Sequence, residues 1–139
     1  MPTQRDHITI ELPWPDNRLH AHNKGHWRVK SDPVKQARRS AYLIALSAKP
    51  DSHKPFERAK ITYVFHMPNA RNRDIANLIQ SCKPYLDGIV DAGIIKDDNW
   101  KCLCEIEADA EVNSEFPCVE MTFVNLSHGS SDTTSTRRE

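Results

Sequence analysis

A run of apolar residues at helical spacing, interrupted by one proline, constrains the fold of this chain more than any other feature. Between residues 75 and 93 the apolar side chains fall on one helical face, and polar side chains fall on the opposite face. Pro84 lies inside this pattern, where it either kinks one helix or starts a second helix after a break near Ser81. Gly93 is a natural end for the pattern. The segment therefore predicts an amphipathic helical region packed on a core.

Strand patterns on both sides of this segment predict an α+β fold. Alternation predicts four strands, at residues 7–12, 59–67, 101–112 and 117–126, the last two being antiparallel neighbours. A helix is expected from Val34 to Ala48, capped by Ser31 or Asp32, with Pro33 in its first turn. The order β-α-β-α-β-β then predicts a single mixed β-sheet with two main helices packed on it.

The length of the chain suits one domain with a sizeable core. We expect this domain to cover residues 1–126, since residues 127–139 contain no core residues and are predicted to form a disordered tail. No apolar run approaches the roughly 20 residues that span a bilayer, and the first residues lack the apolar core of a secretion signal. These features predict a cytoplasmic protein without a membrane partner.

The zero net charge of the chain conceals a basic half and an acidic half. Residues 1–74 carry 14 Lys and Arg against 7 Asp and Glu, whereas residues 75–139 carry 5 against 12. A basic half suits a polyanion and an acidic half suits cations, although two charged faces that only favour solubility are the alternative. The cations expected to contact the phosphates of a nucleic acid are Arg18, Lys24, Arg28, Lys30, Arg38, Arg39, Arg71 and Arg73.

Five aspartates lie between residues 72 and 98, close to the basic stretch PNARNR at residues 68–73. Carboxylates near phosphate chemistry commonly hold Mg²⁺, which prefers oxygen ligands and bridges to phosphate. Asp74 stands at a predicted helix start, and Asp97 and Asp98 lie beyond that helix, so the groups meet if the helix folds back on the sheet. The alternative is that Asp74 is only a helix N-cap and that Asp97 and Asp98 form a surface turn.

Three stretches of the chain together resemble the RusA family of Holliday junction resolvases. They read ITIELPWPDNRLHAHNKGHWRV, HMPNARNRDIANL and KPYLDGIVDAGIIKDDNW, within a match from about residue 7 to about residue 125. The resemblance implies a homodimeric endodeoxyribonuclease of recombination and repair, common in phages and prophages. It also implies dependence on Mg²⁺, with Mn²⁺ as another usable ion, and paired symmetric nicks in four-way DNA junctions. A dimer fits this reaction, because a junction with two-fold symmetry needs paired sites.

The resemblance also implies the site residues. The family's metal-binding aspartates fall in the pattern R-D-x-D-N and in a later D-D pair, which makes Asp74 and Asp98 the catalytic, metal-binding residues here. Lys83, four residues ahead of Asp87, matches the family's important lysine and is the third catalytic residue. About three extra residues separate Lys83 from Asn77 in comparison with the family.

Ala76 is the departure from the family pattern, since it stands where a second aspartate is usual. Three explanations remain open. Asp87, Asp91 or Asp97 completes the site, or the ion is held by fewer protein ligands and more water, or the chain binds junctions without cutting them. Because branches of the family read R-D-x-A-N, we favour an active variant, with a non-catalytic junction- or branched-DNA-binding protein as the alternative.

Overall fold

The computed structural model of the protein describes residues 6–16, 19 and 27–126, with the backbone alone for residues 27–31. Its elements are β1 (His7–Pro13), α1 (Trp27–Ala48), β2 (Ala59–Met67), α2 (Ile75–Ser81), α3 (Lys83–Asp91), β3 (Leu103–Val112) and β4 (Cys118–Asn125). The described part of the chain forms one mixed four-stranded sheet with three helices, which confirms the α+β class and the single mixed sheet. The predicted tail, residues 127–139, lies outside the described residues.

Three helices are present in the described ranges instead of the two that were expected, because the helical segment after β2 divides at Cys82. α2 ends at Ser81, and α3 begins at Lys83 with Pro84 in its first turn. A proline is tolerated there, since the first N–H groups of a helix have no partner within the helix. Of the two outcomes predicted for Pro84, the start of a second helix is the one observed. Gly93, with a φ of 86°, turns the chain just beyond α3.

α1 begins at Trp27, well before the predicted start. The expected cap at Ser31 or Asp32 is therefore wrong, because both residues lie inside the helix. Pro33 is buried in the helix interior, where it lacks the N–H that would bond one turn back. A proline close to a polar residue is a good signal for a helix start, but here the helix extends in the N-terminal direction beyond it.

The strand order in the sheet is β1-β4-β2-β3. β4 runs antiparallel to β1 and to β2, whereas β3 runs parallel to β2. The prediction that β3 and β4 are antiparallel neighbours is therefore wrong, since β2 lies between them. The alternation of buried and exposed residues is a property of a single strand and does not specify which strand lies beside it in the sheet. Here β2 is buried on its core face from Ala59 to Phe65, whereas β3 is exposed from Glu105 to Val112, so β2 takes the central place and β3 the edge.

One face of the sheet packs against the helices to form the hydrophobic core. The fully buried apolar side chains of the strands include Ile8, Ile10, Leu12, Ile61, Phe65, Val119, Met121 and Phe123. Ala41 and Ala45 of α1 and Ile89 of α3 pack against this layer. Small residues on α1 let it lie close to its neighbours. No helix in the described part of the chain is both long and apolar enough to cross a bilayer.

α1 and α3 touch through their backbones at Gly88. A Cβ atom added to Gly88 would lie 2.1 Å from the carbonyl oxygen of Arg38 and 2.9 Å from the backbone nitrogen of Tyr42. Arg38 also binds Asp91 of α3 through two hydrogen bonds, with Nε 2.7 Å from Oδ2 and Nη2 2.9 Å from Oδ1. These contacts set the position of α3, which carries part of the predicted site.

We predict that Gly88→Ala lowers the free energy of unfolding by about 2–3 kcal/mol, because the added methyl group has to separate two helix backbones. Urea denaturation followed by circular dichroism measures this change. Gly93→Ala is the matched control: its added Cβ meets only side-chain atoms, the nearest at 3.5 Å. We expect Gly93→Ala to lower the free energy of unfolding by about 1 kcal/mol, because alanine is strained at the positive φ of this position. Equal stability of Gly88→Ala and the parent would contradict the α1–α3 contact.

Candidate active site

Lys83, the first residue of α3, holds two of the expected carboxylates. Its Nζ donates to Asp87 Oδ1 at 2.9 Å and to Asp98 Oδ2 at 2.5 Å. Lys83 and Asp87 share a helix face because they are one turn apart. Asp98 comes from the loop between α3 and β3. Since both oxygens contact a single nitrogen, the two carboxylates lie close enough together to share one cation.

The cluster of Lys83, Asp87 and Asp98 has more negative than positive charge. The hydrogen bond from Lys83 lowers the pKa of Asp98, and it outweighs partial burial, which acts in the opposite direction. Partial burial would lower the pKa of Lys83, but its hydrogen bonds to Asp87 and Asp98 outweigh that effect and raise it. One ammonium group therefore faces two carboxylates, and the surplus negative charge attracts a further cation.

Asn99 fixes the loop that carries Asp98. The Asn99 side chain donates from Nδ2 to Asp97 Oδ2 at 2.9 Å and accepts at Oδ1 from the backbone N–H groups of Lys101 and Cys102. Asp97 Oδ1 in turn accepts from the backbone N–H of Asp98 at 2.8 Å. Asp97 is thus engaged in forming the turn, and Asp98 is the member of the pair that reaches Lys83.

Asp74 caps the N-terminus of α2. Its Oδ1 accepts hydrogen bonds from the backbone N–H groups of Ala76, at 2.9 Å, and Asn77, at 3.4 Å. Asp74 is therefore an N-cap, as one of the two interpretations expected, and its second oxygen, Oδ2, makes no hydrogen bond among the described residues. Within the same residues, Asp74 makes no hydrogen bond or ion pair with Lys83 or Asp98.

The donor chemistry of these aspartates suits Mg²⁺, but the number of converging ligands is small. In residues 6–16, 19 and 27–126, no group of three or more His, Cys, Asp or Glu side chains could hold a metal ion. Mg²⁺ commonly binds proteins through one or two carboxylates and keeps several waters, so the pair of Asp87 and Asp98 is compatible with it. Asp91, considered as a substitute ligand, is instead bound to Arg38.

The cations predicted to contact DNA differ in their surroundings. Arg38 is paired with Asp91, while the neighbouring Arg39 is exposed and makes no ion pair among the described residues. Arg71 is also exposed. Arg73 lies with its guanidinium 5.6 Å from the ring centre of Trp14. Arg18 and Lys24 lie outside the described residues, as do the side chains of Arg28 and Lys30.

Sequence reasoning overlooked Trp100, which follows the aspartate pair. Its side chain is 79% exposed, and Lys101 Nζ lies 5.7 Å from the centre of its ring. The signal in the sequence is an aromatic residue within a polar turn, next to a cation and two residues after Asp98. Trp100 lies in a turn outside every helix and strand, so the periodic patterns of the sequence give no information about it.

Comparison with known proteins provides a relative without a known activity. No protein-family model matches the chain. The chain is 36% identical over 86 residues to an uncharacterized protein of Xylella fastidiosa (strain Temecula1 / ATCC 700964). The match covers 60% of this chain and 56% of that protein, so the chain spans little more than half of the relative's length.

We predict that Asp98→Asn destabilises the protein by about 1 kcal/mol at neutral pH, because the ion pair with Lys83 is lost. The pKa of Asp98 is lowered in the folded state. Its contribution is therefore complete above the unfolded pKa of about 3.9 and is lost as the pH falls through the lower folded value. Urea denaturation of parent and variant at pH 7 and near pH 2 measures the difference.

The free energies of unfolding of the parent and Asp98→Asn should differ at pH 7 and become equal near pH 2. Asp51→Asn is the control, at an exposed carboxylate that makes no ion pair within the described ranges, and it should match the parent at both values. A constant difference between the parent and Asp98→Asn across this pH range would argue against an ion pair at Lys83.

Proposed function

We propose that the protein is a metal-dependent endodeoxyribonuclease of the RusA type, which resolves four-way DNA junctions as a homodimer. The observation that carries this proposal is the cluster of Lys83, Asp87 and Asp98. These residues belong to two separate motifs, K-x-x-x-D and D-D, and they meet in one partly exposed group. The RusA-like sequence pattern independently points to Lys83 and Asp98, which supports a shared catalytic role.

In this proposal Asp74 and Asp98 hold Mg²⁺ or Mn²⁺, with Asp87 as the neighbouring carboxylate. When bound, the ion acts as a Lewis acid towards phosphate and lowers the pKa of water. Lys83 donates to Asp98 and is thus placed to donate to a phosphate oxygen at the same site, where its charge stabilises the transition state. Asp97 acts through the turn, since it holds the backbone of Asp98 in place.

The proposed DNA surface combines the exposed cations with those outside the described residues. Arg39 and Arg71 carry positive charge that is not neutralised by an ion pair within the described part of the chain. Arg18, Lys24, Arg28 and Lys30 belong to the same proposal on the basis of their sequence pattern. Contacts from such cations to phosphate make binding strongly dependent on salt. Two copies of the site would then cut the two symmetric strands of a junction.

Asp74→Asn tests the assignment of the metal ligands. Asparagine caps a helix about as well as aspartate, so α2 should be retained. We predict that the variant loses at least 100-fold in cleavage rate, on the order of the loss of one strong electrostatic contact. Junction binding should be equal or tighter, because a negative charge facing phosphate is removed. The measurements are single-turnover cleavage of a labelled synthetic junction with Mg²⁺ and a mobility-shift titration without it.

Asp51→Asn serves as the control for this experiment as well and should cut at the parent rate. If Asp74→Asn also cuts at the parent rate, Asp74 has no role beyond capping α2, and the metal site has to be sought elsewhere.

Binding of branched DNA without cleavage is a second candidate function, which three observations favour. Ala76 occupies the position of a usual metal ligand, and the described residues contain no group of three metal-binding side chains. In addition, Lys83 already neutralises part of the charge on Asp98. A protein of this kind would retain the basic surface and recognise junctions by their shape and charge.

Ala76→Asp separates the two functions. Ala76 is exposed in the first turn of α2, where an added carboxylate is favoured by the helix N-terminus, so the variant should fold. If the parent is a nuclease, we expect the cleavage rate to change by no more than about fivefold, under 1 kcal/mol in the barrier. If the parent only binds, Ala76→Asp should create Mg²⁺-dependent cleavage. Ala76→Asn, which adds similar bulk without charge, should create none.

A further inference from the structure

Trp100 is the most exposed large hydrophobic side chain in the described part of the chain, at 79%. A tryptophan has a large apolar surface, and leaving it in water forgoes the stabilisation that burial provides. A single exposed hydrophobic residue is common on protein surfaces and is not informative by itself. Trp100 differs in three respects: its turn is held by hydrogen bonds, a cation lies beside its ring, and Asp98 lies two residues away.

The turn around Trp100 is held by hydrogen bonds that Asn99, the residue before it, accepts from the backbone N–H groups of residues after it. Asn99 Oδ1 accepts from the backbone N–H of Lys101 at 2.9 Å, and the Asn99 carbonyl accepts from the N–H groups of Cys102 and Leu103 at 3.0 and 2.8 Å. The backbone of Trp100 is thus confined between bonded neighbours. The indole ring is presented to solvent by an ordered turn, so little backbone conformational entropy is lost when a ligand stacks on it.

Lys101 supplies positive charge next to the ring of Trp100. Its Nζ lies 5.7 Å from the ring centre, within the range of a cation–π contact. Most of the ring surface remains open, since four-fifths of the side chain is exposed. An aromatic ring on which a base stacks, with a cation for the adjacent phosphate, is the recurrent unit of single-stranded nucleic-acid binding.

Trp100 also lies next to the proposed reaction site. Only Asn99 separates it from Asp98, so the Cα atoms of Asp98 and Trp100 are at most about 7 Å apart. The charges of one duplex strand are about 3.4 Å apart along the helix axis, so this spacing corresponds to at most about two nucleotide steps. A strand whose phosphate reaches Asp98 and Lys83 would therefore bring a flanking base within reach of the indole.

We propose that Trp100 stacks on a nucleobase that is unstacked at the branch point, while Lys101 contacts the phosphate beside it. This inference rests on the proposed nuclease function and adds a source of structural selectivity. In a continuous duplex each base is already stacked on its neighbours, and extruding it is unfavourable. A base that is free to stack on Trp100 is found where the duplex is interrupted. Trp100 therefore favours a branch over linear DNA without reading sequence.

The test compares Trp100→Ala and Trp100→Phe with the parent, in mobility-shift titrations without Mg²⁺ on a four-way junction and on a fully paired duplex. Trp100→Ala should weaken junction binding about tenfold and change duplex binding by less than about twofold. Trp100→Phe should recover most of the loss, because phenylalanine also stacks. Phe116→Ala is the matched control, at an aromatic residue that is 72% exposed in the β3–β4 connection, and it should bind both DNAs like the parent.

A second measurement isolates the stacking contact itself. Junctions with one abasic nucleotide at each position next to the branch are titrated with the parent and with Trp100→Ala. At one position, removing the base should weaken junction binding by the parent about tenfold and leave junction binding by Trp100→Ala unchanged. Trp100 and that base are then coupled by the same factor of about ten. Independent effects at every position, or equal binding of Trp100→Ala and the parent, would overturn the inference.

Other results are also decisive. If Trp100→Ala changes the sedimentation coefficient of the protein and shows no coupling to any base, the indole belongs to a protein contact, and the inference is wrong. If the parent binds and cuts junctions and Trp100→Ala does both equally well, the proposed role of Trp100 is wrong. The nuclease proposal is then unaffected. A parent that binds neither junction nor duplex rejects the proposed function and the role of Trp100 with it.

Discussion

The close contact between α1 and α3 at Gly88 is the constraint on which the candidate site depends. Because no side chain separates the two backbones at this point, α3 has a single position against α1, and the ion pair between Arg38 and Asp91 reinforces it at the surface. Asp87 directly precedes Gly88, and Lys83 begins the same helix. The orientation of this carboxylate and this ammonium group is therefore set by helix packing, at a residue that takes no part in the proposed chemistry.

The loop after α3 connects that packing to the proposed function. Gly93 turns the chain away from the end of α3, and Asn99 then fixes a turn that has two consequences. It directs Asp98 towards Lys83, and it presents Trp100 to solvent. A charged group suited to phosphate chemistry and an aromatic ring suited to base stacking thus come from one short segment. The covalent chain limits their separation, and the hydrogen bonds of Asn99 within the same turn determine how the two side chains are directed.

Much of the fold and part of the site follow from local patterns in the sequence. The helical spacing over residues 75–93 and the alternation in the strands predicted the elements, because such periods record which side of an element is buried. The pairing of Lys83 with Asp87 follows from their distance of one helical turn, and the capping role of Asp74 follows from the preference of aspartate for a helix start. Each of these features is decided within a few residues, so the sequence by itself determined them.

Only the tertiary structure decided the features that join distant residues. The place of β2 between β3 and β4 depends on which strand is more deeply buried, and alternation carries no such information. The contact of Lys83 with Asp98 and the capture of Arg38 by Asp91 both depend on how α3 packs, and no spacing in the sequence specifies either one. The local sequence determined which residues carry charge, and packing determined which charges meet, because an ion pair requires proximity in space whatever the separation along the chain.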